Sequence, residues 1–179
     1  MKKNILVILC VMVSMSSLAG CGYTTASALP ERLKTIYVEP FKNKINYTSV
    51  TGRRNVYFPL LEVKVKDAVI DRFLFDGNLR PVDNPDSADL ILKGALVEYQ
   101  RNSLRYTDND DVQEYRVQIV MKLELRDVQE DTVMWSYGRF IGEATYFVTG
   151  SQATTEDAAV EDAKVDLAKR IVERTIEDW

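Results

Sequence analysis

Two cysteines, no histidine and a few clustered arginines are the residues on which any chemistry of this 179-residue chain must rest. Cys21 is the most informative of them. It closes MKKNILVILCVMVSMSSLAGCGY, in which Lys2 and Lys3 lead an apolar run, Ile5 to Val13, and small residues follow. That order is a secretory signal, and its apolar run is too short for a membrane-spanning helix of roughly 20 residues. Leu18-Ala19-Gly20 directly before a cysteine suits a peptidase that cuts in front of a thiol carrying a diacylglyceryl group. The thiol is the side chain nucleophilic enough to accept that glyceride, so lipidation at Cys21 is expected. Each buried methylene adds about 0.8 kcal/mol, and two or more chains hold a protein on a membrane. Gly22, where an aspartate would resemble an inner-membrane retention signal, points to the outer membrane. Cys10 leaves with the signal and Cys21 carries lipid, so no thiol remains for a disulfide, a metal or catalysis.

The other candidates are weaker. Without histidine the commonest general base and the commonest metal ligand are both missing. Gly150-Ser151 is not surrounded by Gly-x-Ser-x-Gly, and no glycine loop of the phosphate-cradling kind occurs. Asp108, Asp110 and Asp111 lack the regular ligand spacing and distal glutamate of a calcium loop. No catalytic residue, no metal site and no cofactor beyond the lipid on Cys21 is therefore expected. Loss of residues 1–20 removes two lysines and no acids, so the charge of −4 becomes −6. An acidic chain of that kind is a poor nucleic-acid partner. Arg101, Arg105 and Arg116 form a candidate patch for phosphates, which guanidinium groups grip in a bidentate manner. The competing reading, which carries more weight, is a solvated strand face whose arginines pair with Glu114, Asp110 or Asp111. Arg53 and Arg54 are a second cluster, in a stretch that also reads as a plain loop tip.

The elements that must position these residues follow from periodicity. LKTIYVEPF alternates into a strand stopped at Pro40, and residues 42–58 carry no periodicity and read as a long loop. PLLEVKVKDAVIDRFLFDGN places Leu61, Val65, Ala68, Val69 and Phe73 on a helical stripe, with Gly77 as its C-terminal cap. A strand from about Asp89 to Gln100 is apolar on both faces, as for a strand inside a sheet. QEYRVQIVMKLELRD alternates, with Tyr115, Val117, Ile119, Met121, Leu123 and Leu125 on one face. VMWSYGRFIGEATYFV is its hairpin partner, with Gly138 and Gly142 marking a bend or bulge. Tyr115 and Trp135 read as core, and Tyr146 and Phe147 as either core or partner contacts. Thr154 and Asp157 have capping-box spacing before a stripe of Val160, Ala163, Leu167, Ile171 and Ile176. The expected fold is α+β: a β-α-β-β-β-α sandwich with two helices on one face of a mostly antiparallel four-stranded sheet. Its expected organisation is signal peptide 1–20, tether 21–28 and one domain 29–179.

Taken in order, the cysteine motif (which resembles the bacterial lipobox), LPERLKTIYVEPFKN, RFLFDGNLRPVD, ADLILKGALVEYQRNSLRY, EYRVQIVMKLELRD and the acidic start of the last helix resemble the LptE family. These are outer-membrane lipoproteins that assist lipopolysaccharide assembly. The resemblance spans nearly the whole mature chain and implies an α/β plug inside a large β-barrel partner, LptD, with contacts to lipopolysaccharide. In enterobacterial members, basic residues in the loop between the second and third strands and before the last helix are linked to that contact. Here RNSLRYTDNDD offers Arg101 and Arg105 followed by aspartates, and VTGSQATTED offers no lysine. The alternative is a lipoprotein activator of an envelope enzyme such as a peptidoglycan synthase. Those activators carry long linkers, whereas about ten residues separate Cys21 from the first strand pattern here, which favours a partner in the same membrane.

Overall fold

A computed structural model describes residues 29–45 and 58–177. The signal peptide, Cys21, and the loop residues Arg53 and Arg54 lie outside the described residues. In chain order the elements are β1 (Thr35–Val38), β2 (Lys42–Asn43), α1 (Leu61–Asp76), β3 (Arg80–Pro81), a 3-10 turn (Pro85–Ser87), β4 (Leu90–Tyr106), β5 (Val112–Asp127), β6 (Thr132–Phe147) and α2 (Glu156–Glu177).

One sheet holds all six strands in the order β3-β1-β4-β5-β6, with β2 also paired to β4. The expected four-stranded, mostly antiparallel sheet is therefore corrected to a mixed one of six strands. β4, β5 and β6 form the antiparallel meander, whereas β1 runs parallel to β3 and β4, and β2 parallel to β4. The physical reasons are two. A strand that returns through a helix comes back parallel, so α1 between β1 and β4 dictates their sense. Strands of two residues, such as β2 and β3, leave no periodicity to read.

The alternation of β5 sets the layers. Val117, Ile119, Met121, Leu123 and Leu125 are buried toward the helices, and Gln118, Lys122, Glu124 and Arg126 occupy the other face. Val120 is the exception: it is fully buried on the open face, where Arg139 of β6 reaches to Glu98 of β4 at 2.6 Å. Cross-strand register places Glu98 and Ile141 on either side of Val120, so that ion pair spans the intervening strand.

α1 packs Leu61, Val65, Val69 and Phe73 into the core and ends at Gly77, whose φ of 81° and N–H bond to the Phe73 carbonyl make it the cap. α2 buries the expected stripe together with Ala159, Ala168 and Val172. Its cap differs from expectation by one position. Thr155 Oγ1 accepts the Ala158 N–H at 3.2 Å, and no acid at that third position completes a capping box. The two glycines of β6 have separate jobs. Gly138 and Arg139 lie in a register shift opposite Met121–Leu123, the expected bulge. Gly142 lies beneath α2, where a Cβ would stand 2.3 Å from Leu167 Cβ and 2.5 Å from the Ala163 carbonyl oxygen.

Candidate functional site

The three candidate arginines do not converge. Arg101 pairs in register with Val117 and so faces the helix layer, whereas Arg116 pairs with Asn102 on the open face. Arg101 Nη1 meets Glu156 at the start of α2, and Tyr99 Oη donates to the same carboxylate at 2.7 Å. The Arg101 guanidinium also lies 4.9 Å over the Tyr115 ring, which stacks on Tyr146 at 5.6 Å. Burial opposes charge on Arg101, but the Glu156 carboxylate outweighs it and raises the guanidinium's proton affinity. Burial, reinforced by the same carboxylate, raises the Tyr99 phenol and keeps it protonated as a donor. This half-buried cluster ties the first turn of α2 to the sheet, and Glu156 complements the helix dipole there. Arg101 is thereby occupied in holding the fold.

Arg105 is exposed, 3.6 Å from Glu114 and 5.7 Å from the Phe147 ring centroid. Arg116 is 3.9 Å from Glu143, which Gln118 also bonds at 2.7 Å. The pairing of Arg105 with Glu114 follows the solvated-face reading, and the distant partners of the other two were not visible in sequence. Among the aromatics, Trp135 and Tyr146 are buried and Tyr115 is half-buried against Tyr146. Phe147 is half-buried, and Tyr106 is exposed. The Thr107–Asp111 stretch closes as a turn, with the Thr107 N–H on the Asp111 carbonyl at 2.8 Å and Asp110 at a φ of 64°. Among the described residues no group of three or more acids, cysteines or histidines is placed to hold a metal ion.

A cationic cluster that sequence reasoning missed lies on the open face near the β2 edge. Lys42, Ala95 and Lys122 form one row across β2, β4 and β5. Lys93 stands in the next row against Glu124, and Lys44 continues from β2. All four lysines line one shallow depression of about 190 Å³, together with Glu39 and Glu124. Lys93 lies 3.8 Å from Glu39. Lys42, Lys44 and Lys122 are exposed and form no ion pair among the described residues. Only the register between β2 and β5, 80 residues apart in the chain, brings Lys42 and Lys122 together, so no local motif could have found them.

The far edge of the sheet is occupied differently. Arg170 of α2 donates to the Ile141 carbonyl at 2.6 Å, and Asp166 accepts the Glu143 N–H at 3.0 Å. These contacts cap the outward hydrogen-bonding groups of edge strand β6. The groove between β6 and α2, about 470 Å³, is lined by Arg139, Arg170 and Arg174. Each has a structural role there, Arg139 on Glu98, Arg170 on Ile141 and Arg174 over the Tyr137 ring.

Comparison with known proteins supplies a family and a fold. The family model LptE, lipopolysaccharide-assembly, matches residues 33–175. No curated protein matches the sequence. Among solved structures, an uncharacterized lipoprotein B from Nitrosomonas europaea matches at 12% identity with a TM-score of 0.53, covering 83% of this chain and 84% of that one. Protein XCC0632 from Xanthomonas campestris matches at 18% identity with a TM-score of 0.52, covering 83% and 87%. A dodecamer of a PelC point variant from Paraburkholderia phytofirmans matches at 17% identity with a TM-score of 0.50, covering 85% and 96%. At such identities the likeness is one of fold alone.

Proposed function

The chain belongs to the LptE family of lipopolysaccharide-assembly proteins, and from that premise we propose that it is an outer-membrane lipoprotein that partners an LptD-type β-barrel. In this reading Cys21 carries the lipid anchor, the sandwich seats as plug and assembly subunit in the barrel, and polar side chains contact lipopolysaccharide on its way to the outer leaflet. It is an interaction protein and not an enzyme, in keeping with a chain that has no histidine and no spare thiol. The observation that carries the reading is the span of the family match: residues 33–175 run from just before β1 nearly to the end of α2, so the whole sandwich takes part. No helix among the described residues is long and apolar enough to cross a membrane, which is compatible with attachment by lipid. Of the three arginines, Arg105 and Arg116 remain the ones open to glycolipid contact, since Arg101 is committed to Glu156.

The test is purification of the lipidated protein from membranes in mild detergent, with identification of what accompanies it. A large outer-membrane barrel is the expected companion. A peptidoglycan synthase in its place would move the protein to the activator class. Cys21→Ser is expected to release the protein from the membrane fraction, read by mass spectrometry of the amino terminus and by fractionation.

A further inference from the structure

We propose that the lysine row on the open sheet face, Lys42, Lys93 and Lys122 with Lys44 beside it, is a binding site for the phosphate groups of a glycolipid's saccharide headgroup. The inference deepens the lipopolysaccharide-assembly reading and rests on it. It assigns a subsite away from the strand loop and the pre-helix segment to which the family resemblance points.

Charge distribution is the first ground. α1 and α2 together carry eleven acids against seven bases, so the helix layer is the acidic side of an acidic protein. The depression on the opposite side holds four lysines against two glutamates. Three of those lysines have no described counter-ion, in contrast to Arg116, Arg126 and Arg139 of the same face, which are each within ion-pair reach of a carboxylate. Uncompensated like charges repel one another, and a bound anion relieves that repulsion.

Geometry is the second ground. Lys42 and Lys122 flank Ala95, whose short side chain leaves the floor between them low. With strands about 4.8 Å apart, their Cα atoms stand about 10 Å from one another, a span that two flexible ammonium groups can close onto one phosphate or share between two. Ammonium is a compact point charge with three donors on a mobile stem, which suits phosphate oxygens approaching a flat surface from several directions. The floor is firm beneath them: Phe41 lies over Gly94, where a Cβ would meet its ring at 2.6 Å, and Leu123 closes the contact from β5. Nothing apolar is exposed in the row itself to bind acyl chains, so the site selects the headgroup.

The lipidated full-length protein in detergent is titrated with lipid A bearing its phosphates, with the same glycolipid after phosphate removal, with phosphatidylglycerol vesicles and with inorganic phosphate. Wild type is expected to bind phosphorylated lipid A at least 10-fold more tightly than the dephosphorylated form or phosphatidylglycerol, and to bind inorganic phosphate weakest, with affinity falling as salt rises. Lys42→Gln combined with Lys122→Gln is expected to lose that preference. Lys66→Gln combined with Lys169→Gln, on the helix layer, is expected to stay within 2-fold of wild type. Lys42, Lys122 and Lys169 are exposed and Lys66 is half-buried, so unchanged thermal unfolding of each pair verifies the fold. Wild-type affinity in the row variant, or equal binding of phosphatidylglycerol and lipid A by wild type, overturns the inference. Co-purification of the barrel separates this result from the wider reading. The row variant is expected to retain the barrel, and its loss would reassign the row to protein contact. Absence of the barrel from wild type would instead undo the proposed function.

Discussion

The most consequential residue-scale finding is that Arg101 is spent on the fold. Its partner Glu156 is 55 residues away, in an element whose reach to β4 no local pattern announces. Sequence could mark Arg101 as a cation beside aromatics, but not say which carboxylate would reach it. Arg101→Gln leaves Glu156 half-buried with only the Tyr99 and Tyr146 hydroxyls for company. The expected cost is about 1–3 kcal/mol, the usual result of removing one member of a charge-assisted network. Urea unfolding checks it, and Arg105→Gln, which removes an exposed guanidinium 3.6 Å from Glu114, is expected to cost under about 1 kcal/mol. An equal loss in both variants would mean that the Glu156 cluster contributes nothing special. The comparison also governs how glycolipid experiments are read: a combined Arg101 and Arg105 substitution would weaken binding through unfolding, whereas the exposed lysines carry no such penalty.

At the scale of elements, the close approach of α2 to β6 fixes the sandwich. Gly142→Ala places a methyl group 2.3 Å from Leu167 Cβ and 2.7 Å from its Cα, backbone and near-backbone atoms that cannot swing aside. α2 must then lift from the sheet, at an expected cost of about 1–3 kcal/mol or more. Gly138→Ala, four residues earlier in the same strand, meets nothing within 4 Å and is expected to be neutral or to stabilise by about 0.5 kcal/mol. Thermal melts of the two variants decide the matter, and similar values would show that α2 can slide to make room. Both glycines were legible in sequence as interruptions of a strand pattern, yet only the register separates a bulge from a contact. The same limit runs through the fold. Long elements were readable, β5 and both helices by one period facing one core and β4 by a run apolar on both faces. β4 nevertheless continues to Tyr106, where its apolar run ends near Gln100. The two-residue strands β2 and β3 exist only because β4 and β1 offer free edges to them, a tertiary circumstance without a sequence signature. Edge strand β6 is likewise guarded from α2, by Asp166 at the Glu143 N–H and Arg170 at the Ile141 carbonyl.

For the molecule as a whole, acid sensitivity is concentrated where the chain enters the fold. Asp89, at the start of β4, accepts the N–H groups of Lys34 and Thr35 at 2.8 and 2.9 Å, and Thr35 Oγ1 exchanges hydrogen bonds with its side chain and its N–H. Asp127, buried at the end of β5, accepts the N–H groups of Gln129 and Glu130 at 3.0 Å each and lies 2.7 Å from Arg32. Burial pushes both carboxyls up, but the backbone donors around Asp89 and the Arg32 guanidinium with the turn amides around Asp127 outweigh it, and both titrate below the ordinary range. The sign follows directly. An unfolded aspartate titrates near about 3.9, so below that value the unfolded chain binds more protons than the folded one. The stability contributed by each depressed carboxyl is present in full above about pH 4–5 and is lost as pH falls through its lower folded value. The segment from Arg32 to Thr35, which leads into β1, is thus held by groups that fail together in acid. Asp89→Asn is expected to lower stability at pH 7 by about 1–3 kcal/mol, through loss of the charged acceptor. It should also flatten the decline in melting temperature between pH 5 and pH 3, because the group whose protonation drives part of that decline is gone. Lys66→Gln, remote from both aspartates, should follow the wild-type pH profile. Parallel profiles for wild type and Asp89→Asn would assign the acid response to general charge repulsion instead, in which case variants of either aspartate and of distant acids would behave alike.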